Sequence, residues 1–476
     1  MEMVINGEKT GAAGGGWAEV INPATGERID QVPLGDREDV DAAVNAGDAA
    51  FSAWSEKTMR DRGLILFRAA ALVRRDSAAL AELLTREQGK PLRESTDEVR
   101  GCANILEYYA SVAGQPAGEA VSLGKSGDCL VTRVPLGVCG AIIPWNMPVI
   151  IMGWKVGPAL LAGNTLVLKP ASTTPLTNLS IANLFQEAGL PAGVLNVVTG
   201  PGETAGEALV RHPKVKKISF TGNGTTGRRI RQIAGDHLMA LTLELGGSDP
   251  MIVMDDADIG KAVEGAFRGR FYNAGQICTA VKRLYLHEKI ADEFISMLKA
   301  KVETAKIGNG LVPGIDMGPL NSPAQRNRIA TAVKETTERE EGTIVTGGCP
   351  IVGKDFEKGY FYRPTLIADV APDAPLLKNE VFGPVLPVMT VPDLGSAIRE
   401  ANRTRYGLGA SVWTRDLSTV KQVFSEVQAG IIWVNRHLTI PPEVPFGGTN
   451  ESGIGRENGF RAIDSYTQTK TLFLGW

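Results

Sequence analysis

Histidine is scarce in this chain. Only four occur in 476 residues (His212, His237, His287, His437), and none stands at the spacing that metal ligands need, so no metal is expected. The five cysteines (Cys102, Cys129, Cys139, Cys278, Cys349) are odd in number and include no C-x-x-C pair, which excludes a disulfide framework and a zinc knot. A reducing, cytoplasmic setting is expected. An excess of one charge is also lacking: 50 basic against 53 acidic residues leave −3, with no cluster of Lys and Arg. Nucleic acid and anionic membrane are therefore not expected as partners. Long apolar runs are missing too. The most apolar stretch, 149–168, is broken by Gly153, Lys155, Gly157, Pro158, Gly163 and Asn164, and reads as a buried helix and strand, not a membrane span. The first residues have no basic region followed by an apolar one, so no signal peptide is expected.

What is present is globular material, 43% hydrophobic and 22% charged, in a chain long enough for two or three domains. Residues 40–109 are rich in Ala, Leu, Glu and Arg at helical spacing; Leu64, Phe67, Ala71 and Leu72 mark one apolar face. Strands are expected at 129–135 and 137–143. After them the chain alternates strand (164–169), helix (178–188), strand (194–198), helix (203–211), strand (217–221), helix (226–234) and strand (240–244). Such alternation implies an α/β fold with a parallel sheet, whose ligands gather at the carboxyl ends of the strands, where Lys169, Gly200, Gly222 and Glu244 fall. A second alternating region runs from 251–254 through 282–286 to 430–435. The alternating tail, 465–474, needs a neighbour, either strand 129–135 or one from another subunit.

Cys278 follows a glycine-containing turn, Phe271-Tyr-Asn-Ala-Gly-Gln-Ile-Cys278, and Glu244-Leu-Gly-Gly247 lies 34 positions earlier (278 − 244). A thiol attacks carbonyls, and a nearby glutamate can take a proton from it or from water. A lone cysteine is more often a small buried hydrophobe, so its surroundings must decide. Gly222-Asn-Gly-Thr-Thr-Gly227 matches G-x-G-x-x-G between a strand and a helix, with Glu244 near the place of a ribose-binding acid. Glycine-rich strand-to-helix turns are common in α/β proteins, and this one comes late in the alternation. Pro144-Trp145-Asn146-Met147-Pro148 restricts the backbone on both sides of an amide that could hold an oxyanion; the plain reading is a rigid turn. Asp255, Asp256 and Asp258 read as a helix start and not as a cation cluster.

Taken in order, Pro144–Pro148, Lys169-Pro, Phe220-Thr-Gly222, Glu244-Leu-Gly-Gly247, Gly275-Gln-Ile-Cys278, Glu380-Val-Phe-Gly-Pro384 and Pro445-Phe-Gly-Gly448 make the chain resemble the aldehyde dehydrogenase superfamily over nearly its whole length. The resemblance implies oxidation of a small-molecule aldehyde to the acid with NAD(P)+. Cys278 would attack, with the Asn146 amide and the Cys278 N–H holding the oxyanion. Glu244 would activate water against the thioester, and Lys155 and Glu457 would relay its proton. The cofactor would meet Trp145, Lys169, Ser172, Gly202, Phe220, Gly222, Asn223, Leu245, Glu380 and Phe382. Lys169 and Glu380 would take the two riboses, and Asn223 would sit under the nicotinamide or its phosphate. A Rossmann-like cofactor domain (1–121 and 139–245), a second α/β catalytic domain (246–450) and a small β flap for oligomerisation (122–138 and 460–476) are implied, as is a homodimer or homotetramer joined through the strands near Leu130 and Leu472.

The family usually has serine where Asn223 stands, and lysine is common where Asn450 stands. Ser172 replaces the ribose-gripping glutamate of many NAD-preferring members, so NADP is expected to be accepted and even preferred. The substrate pocket would consist of Met147, Ile151, Trp154, Ile277, Thr279, Ile440 and Phe446, an apolar slot for aliphatic or aromatic aldehydes. Arg436 and His437 border it and offer the alternative of an acid semialdehyde. A cysteine hydrolase or acyltransferase has no need of Lys169, Gly222 and Glu380, and CoA-acylating relatives generally lack the glutamate.

Overall fold

The computed structural model describes residues 1–115 and 118–475. Apolar runs closed by Gly or Pro form the inner strands. Thr165–Lys169, between Gly163-Asn164 and Pro170, is buried throughout and sits in the middle of an eight-stranded sheet. The sheet order is Gly453–Ile454, Ala240–Glu244, Val215–Thr221, Val138–Ile142, Thr165–Lys169, Leu195–Val197, Met3–Ile5 and Glu8–Thr10. The inner five strands are parallel and the outer ones antiparallel. The chain first winds outward from Val138–Ile142, then crosses to Val215–Thr221 on its other side. That reversal opens a crevice at the carboxyl ends of these two strands, as in Rossmann-like sheets.

The second sheet has seven strands in the order Thr343–Thr346, Thr365–Ala368, Val385–Val391, Val281–His287, Asp249–Val253, Gly409–Trp413 and Ile431–Val434, parallel except for the first pair. Asp258 caps the helix Ile259–Phe271, its Oδ1 accepting from Lys261 N at 3.1 Å, so the aspartate cluster does open a helix.

One expectation is corrected, and another is decided between its two alternatives. Helix Met59–Arg75 forms, but its buried face is Ile65, Leu66, Ala69, Ala70 and Val73, while Leu64 and Phe67 are 53% and 56% exposed. Both faces are apolar; the face with Gly63, Ala69 and Ala70 is buried, and Gly63 lets the helix approach Leu92–Ser111 so closely that a Cβ there would lie 3.2 Å from Ala110 O. The tail strand Thr467–Leu474 pairs with Asp128–Pro135 of its own chain, placing Leu472 opposite Leu130. Asn164 ties their near ends together, accepting from Leu136 N and Gly137 N and donating to Tyr466 O at 2.9 Å. Gly118–Ser122 adds the third strand of this sheet, so the boundary expected at residue 121 falls inside a strand.

Candidate active site

The turn that leads into Cys278 is held in an unusual backbone. Asn273, Ala274 and Gly275 are consecutively left-handed (φ 50°, 52° and 73°), which for alanine costs on the order of 1 kcal/mol. Buried groups hold it there. Glu94 accepts from Asn273 N at 2.8 Å, Asn321 N donates to Gln276 Oε1 at 2.9 Å, and the fully buried Arg270 donates to Val381 O at 2.9 Å and to Gly383 O. A Cβ at Gly275 would lie 2.3 Å from Gly383 O, so only glycine fits. The turn presents Cys278 half-buried at the floor of a cleft. Burial pushes its thiol up to about 12; Lys282 opposes this, while Asp249, Glu380 and Glu244 add to it.

Asn146 faces the same cleft from the loop after strand Val138–Ile142. One amide hydrogen goes to Gln276 O at 2.9 Å, which leaves the other for a ligand. Its own carbonyl accepts from Lys90 Nζ at 2.7 Å and from Asn273 Nδ2 at 2.9 Å. Lys90 is in turn ion-paired with the buried Glu98.

Glu244 ends its strand with both carboxyl oxygens buried and without partners. Burial, reinforced by Glu457, holds its proton far above the usual carboxylate range, with Lys155 and Arg456 opposing. Lys155 is ion-paired with Glu457, and Ser219 Oγ joins them, 2.9 Å from Lys155 Nζ and 2.5 Å from Glu457 Oε1. A buried carboxyl beside a charged relay is suited to proton transfer.

The crevice fits a dinucleotide. Lys169 Nζ donates to Pro170 O at 2.8 Å and Gly200 O at 2.9 Å and retains a third hydrogen; burial lowers it to about 8 while Glu203 opposes. Ser172 Oγ donates to the same Gly200 carbonyl at 3.3 Å. A Cβ at Gly202 would meet open space, whereas one at Gly246 would lie 2.1 Å from the Glu380 carboxylate. Glu380 accepts from Gly247 N at 3.2 Å. Trp145 and Phe382 stand edge to face, their centroids 5.5 Å apart, as an aromatic wall.

Three expected cofactor residues have other work. Asn223 Oδ1 accepts from Thr226 N at 2.8 Å and caps helix Gly224–Gly235. Phe220 is buried, and its ring occupies the space a Cβ at Gly222 would need. Leu245 packs where Gly227 lacks a side chain. The glycine fingerprint thus serves strand-to-helix packing.

The cleft above Cys278, about 570 Å³, is lined by Met147, Ile151, Trp154, Ile277, Thr279, Ile440 and Phe446. Trp154 and Phe446 pack with centroids 5.0 Å apart. Arg436 is a correction: it is exposed and absent from the lining, because Asn435 has positive φ and the chain turns outward there. His437 turns inward against Thr279 O at 2.7 Å, and burial lowers it to about 4, leaving it neutral. Sequence reasoning missed Lys90, Glu94, Ser219, Arg270 and Lys282. Isolated charged residues in apolar segments were the available signal, but it does not say what they hold.

A thiol and an amide donor in one cleft, with a buried carboxyl and a Rossmann-like crevice in the same chain, are the parts that a nucleotide-dependent oxidoreductase of carbonyl compounds needs. The sequence profile of the aldehyde dehydrogenase family matches residues 11–472, and the chain belongs to that family. It is an NAD(P)-dependent enzyme acting on aldehydes. It is 43% identical to the phenylacetaldehyde dehydrogenase of Pseudomonas fluorescens, over 100% of this chain and 96% of the relative. Betaine aldehyde dehydrogenase from Staphylococcus aureus, in complex with NAD+, superposes with a TM-score of 0.97 at 34% identity, covering 100% of this chain and 97% of the other. An NADP-dependent enzyme of E. coli gives 0.97 at 37% identity, with 100% and 98% covered.

Proposed function

We propose that the chain oxidises an apolar aldehyde, arylalkyl or aliphatic, to its carboxylic acid through a thioester on Cys278. The observation that carries this reading is the cleft above the thiol, walled by Trp154, Phe446, Met147 and the isoleucines. Its charged lining residues are Asp97, Glu98 and Arg268, and Arg268 is exposed, so a substrate carboxylate finds no buried cation there. With Arg436 outside and His437 neutral, nothing favours the acid-semialdehyde alternative. The first relative's substrate, phenylacetaldehyde, has the chemistry this cleft suits.

Cys278 Sγ adds to the carbonyl carbon as its proton passes to Glu244, and the resulting oxyanion lies between the free Asn146 amide hydrogen and the Cys278 N–H. NAD(P)+, when bound, supplies the hydride acceptor. Lys169 and Glu380 bind the two riboses, and Trp145 and Phe382 exclude water from the reacting face. The Lys155–Glu457 pair, through Ser219, carries the thiol's proton from Glu244 to solvent. Glu244 then takes a proton from water, whose oxygen adds to the thioester; collapse releases the acid, and the proton on Glu244 returns to the sulfur. With no carboxylate at Ser172, NADP is accepted. The exposed edge strands of the three-stranded sheet, with Leu472 and Phe473 more than half exposed, suit a second copy of the chain. The five free cysteines suit a cytoplasmic setting.

A panel of aldehydes assayed with each cofactor tests the proposal. Phenylacetaldehyde and hexanal are expected to give kcat/KM at least about tenfold above succinic semialdehyde; the reverse order would remove the apolar-substrate reading.

A further inference from the structure

Lys282 stands four residues after the nucleophile (282 − 278), on strand Val281–His287, with a side chain only 1% exposed. Its Nζ turns back beneath the nucleophile turn. It donates to the Ile277 carbonyl at 3.0 Å and to the Cys278 carbonyl, and pairs with Glu380 Oε1 at 3.1 Å. The Phe382 ring centroid lies 5.9 Å away. One buried cation therefore touches both peptide units flanking the nucleophile and the carboxylate assigned to the cofactor's nicotinamide-side ribose.

We propose that Lys282 is a positioning residue that aims and strengthens the oxyanion-binding N–H of Cys278 and couples it to Glu380. The inference rests on Cys278 being the nucleophile. The Ile277 carbonyl and the Cys278 N–H belong to one trans peptide unit and point in opposite directions. A cation on the oxygen fixes the plane, turns the N–H toward the cleft and polarises it as a donor. No backbone acceptor engages that N–H among the described residues. The same positive charge favours the thiolate, against the negative groups facing the sulfur, which are Asp249, Glu380 and Glu244. Asp249, fully buried and with neither oxygen hydrogen-bonded, cannot replace Lys282 in this role because its charge has the wrong sign. Because Glu380 shares the lysine, cofactor contact at the carboxylate and oxyanion contact at the N–H depend on one another.

The test compares Lys282→Met, Lys282→Gln and Lys282→Arg with the wild type in the full-length enzyme. It measures kcat with saturating phenylacetaldehyde, KM for NAD(P)+, and the rate of Cys278 alkylation by iodoacetamide at one fixed pH of about 8. Met and Gln are expected to lower kcat about tenfold or more, to raise cofactor KM only a few-fold, and to slow alkylation about tenfold. Arg, which keeps charge and donors, is expected to recover most of kcat. Values of kcat within about twofold of wild type for Met and Gln, with the alkylation rate unchanged, overturn the inference. Should the Met variant not fold, Gln against Arg decides, and equal kcat for those two overturns it. If the wild type stays fully active after Cys278 is alkylated, it is the nucleophile assignment that fails instead.

Discussion

Asn273 donates its side-chain amide to the main-chain carbonyl of Asn146 at 2.9 Å, and so fastens the turn that presents the thiol to the loop that presents the oxyanion amide. The two residues are 127 positions apart. Asn273→Gly removes the amide without straining the left-handed backbone. It should reduce kcat about tenfold to a hundredfold with little change in cofactor KM, because misplacement of the reacting groups affects the chemical step. Steady-state kinetics with varied NAD(P)+ check this; a loss confined to KM would contradict it.

Replacing Glu244 by Gln removes the base and keeps the shape. Water attack on the thioester should slow by about 10² or more, so acyl-enzyme accumulates. Rapid mixing should then show a burst of reduced cofactor of at most one equivalent per site, and intact mass should show the acyl adduct. Steady-state turnover at the wild-type rate, with no adduct, would mean that Glu244 does not act at that step.

Acid should inhibit the enzyme. Burial raises the Glu244 carboxyl well above its ordinary 4.5 and the Cys278 thiol to about 12, and each must be deprotonated to act. The expected kcat/KM profile rises from about pH 6 to about pH 9. A flat profile over that range would remove these two groups as the titrating ones.

Stability should move the other way. Burial raises Glu94 from 4.5 to about 8. A carboxyl whose folded value lies above its unfolded value contributes its stabilisation fully below about pH 4.5, and that contribution is lost as pH rises through about 8, by at most about 5 kcal/mol. Glu94→Gln keeps an acceptor for Asn273 N and cannot ionise. Its thermal midpoint should fall less than that of the wild type between pH 5 and pH 8.5, leaving the dependence from the other carboxyls that burial raises, Glu244 and, to about 7 each, Glu87 and Asp249. Equal falls for both proteins would rule Glu94 out.

Cofactor choice should turn on Ser172, whose hydroxyl bonds to Gly200 O beside Lys169. Ser172→Glu places a second carboxylate near Lys169, close to Glu203, and should lower kcat/KM for NADP at least about tenfold relative to NAD through repulsion of the 2′-phosphate. An unchanged ratio would separate Ser172 from that subsite.

The alternation of strands and helices, and the placing of Lys169, Gly222 and Glu244 at strand ends, was legible because period and turn residues are local properties. Met147, Ile151, Trp154, Ile277, Thr279, Ile440 and Phe446 line one cleft for a related reason: four of them flank Asn146 or Cys278 in sequence or lie one helical turn away. Arg436 was not legible, since one left-handed residue before it redirects the loop. The face that helix Met59–Arg75 buries was equally hidden, because two apolar faces compete and the approach of another helix chooses between them.

By itself the sequence determined the family, the thiol, its glutamate and the α/β plan, because ordered motifs and hydrophobic periodicity survive in one dimension. Only the tertiary structure decided what holds them. Glu94, Lys282 and Arg270 act on the Cys278 turn, and Lys90 on the facing Asn146 loop, from remote segments or from the opposite side of a strand, and a buried charge takes its role from whichever partner folding brings within hydrogen-bond reach.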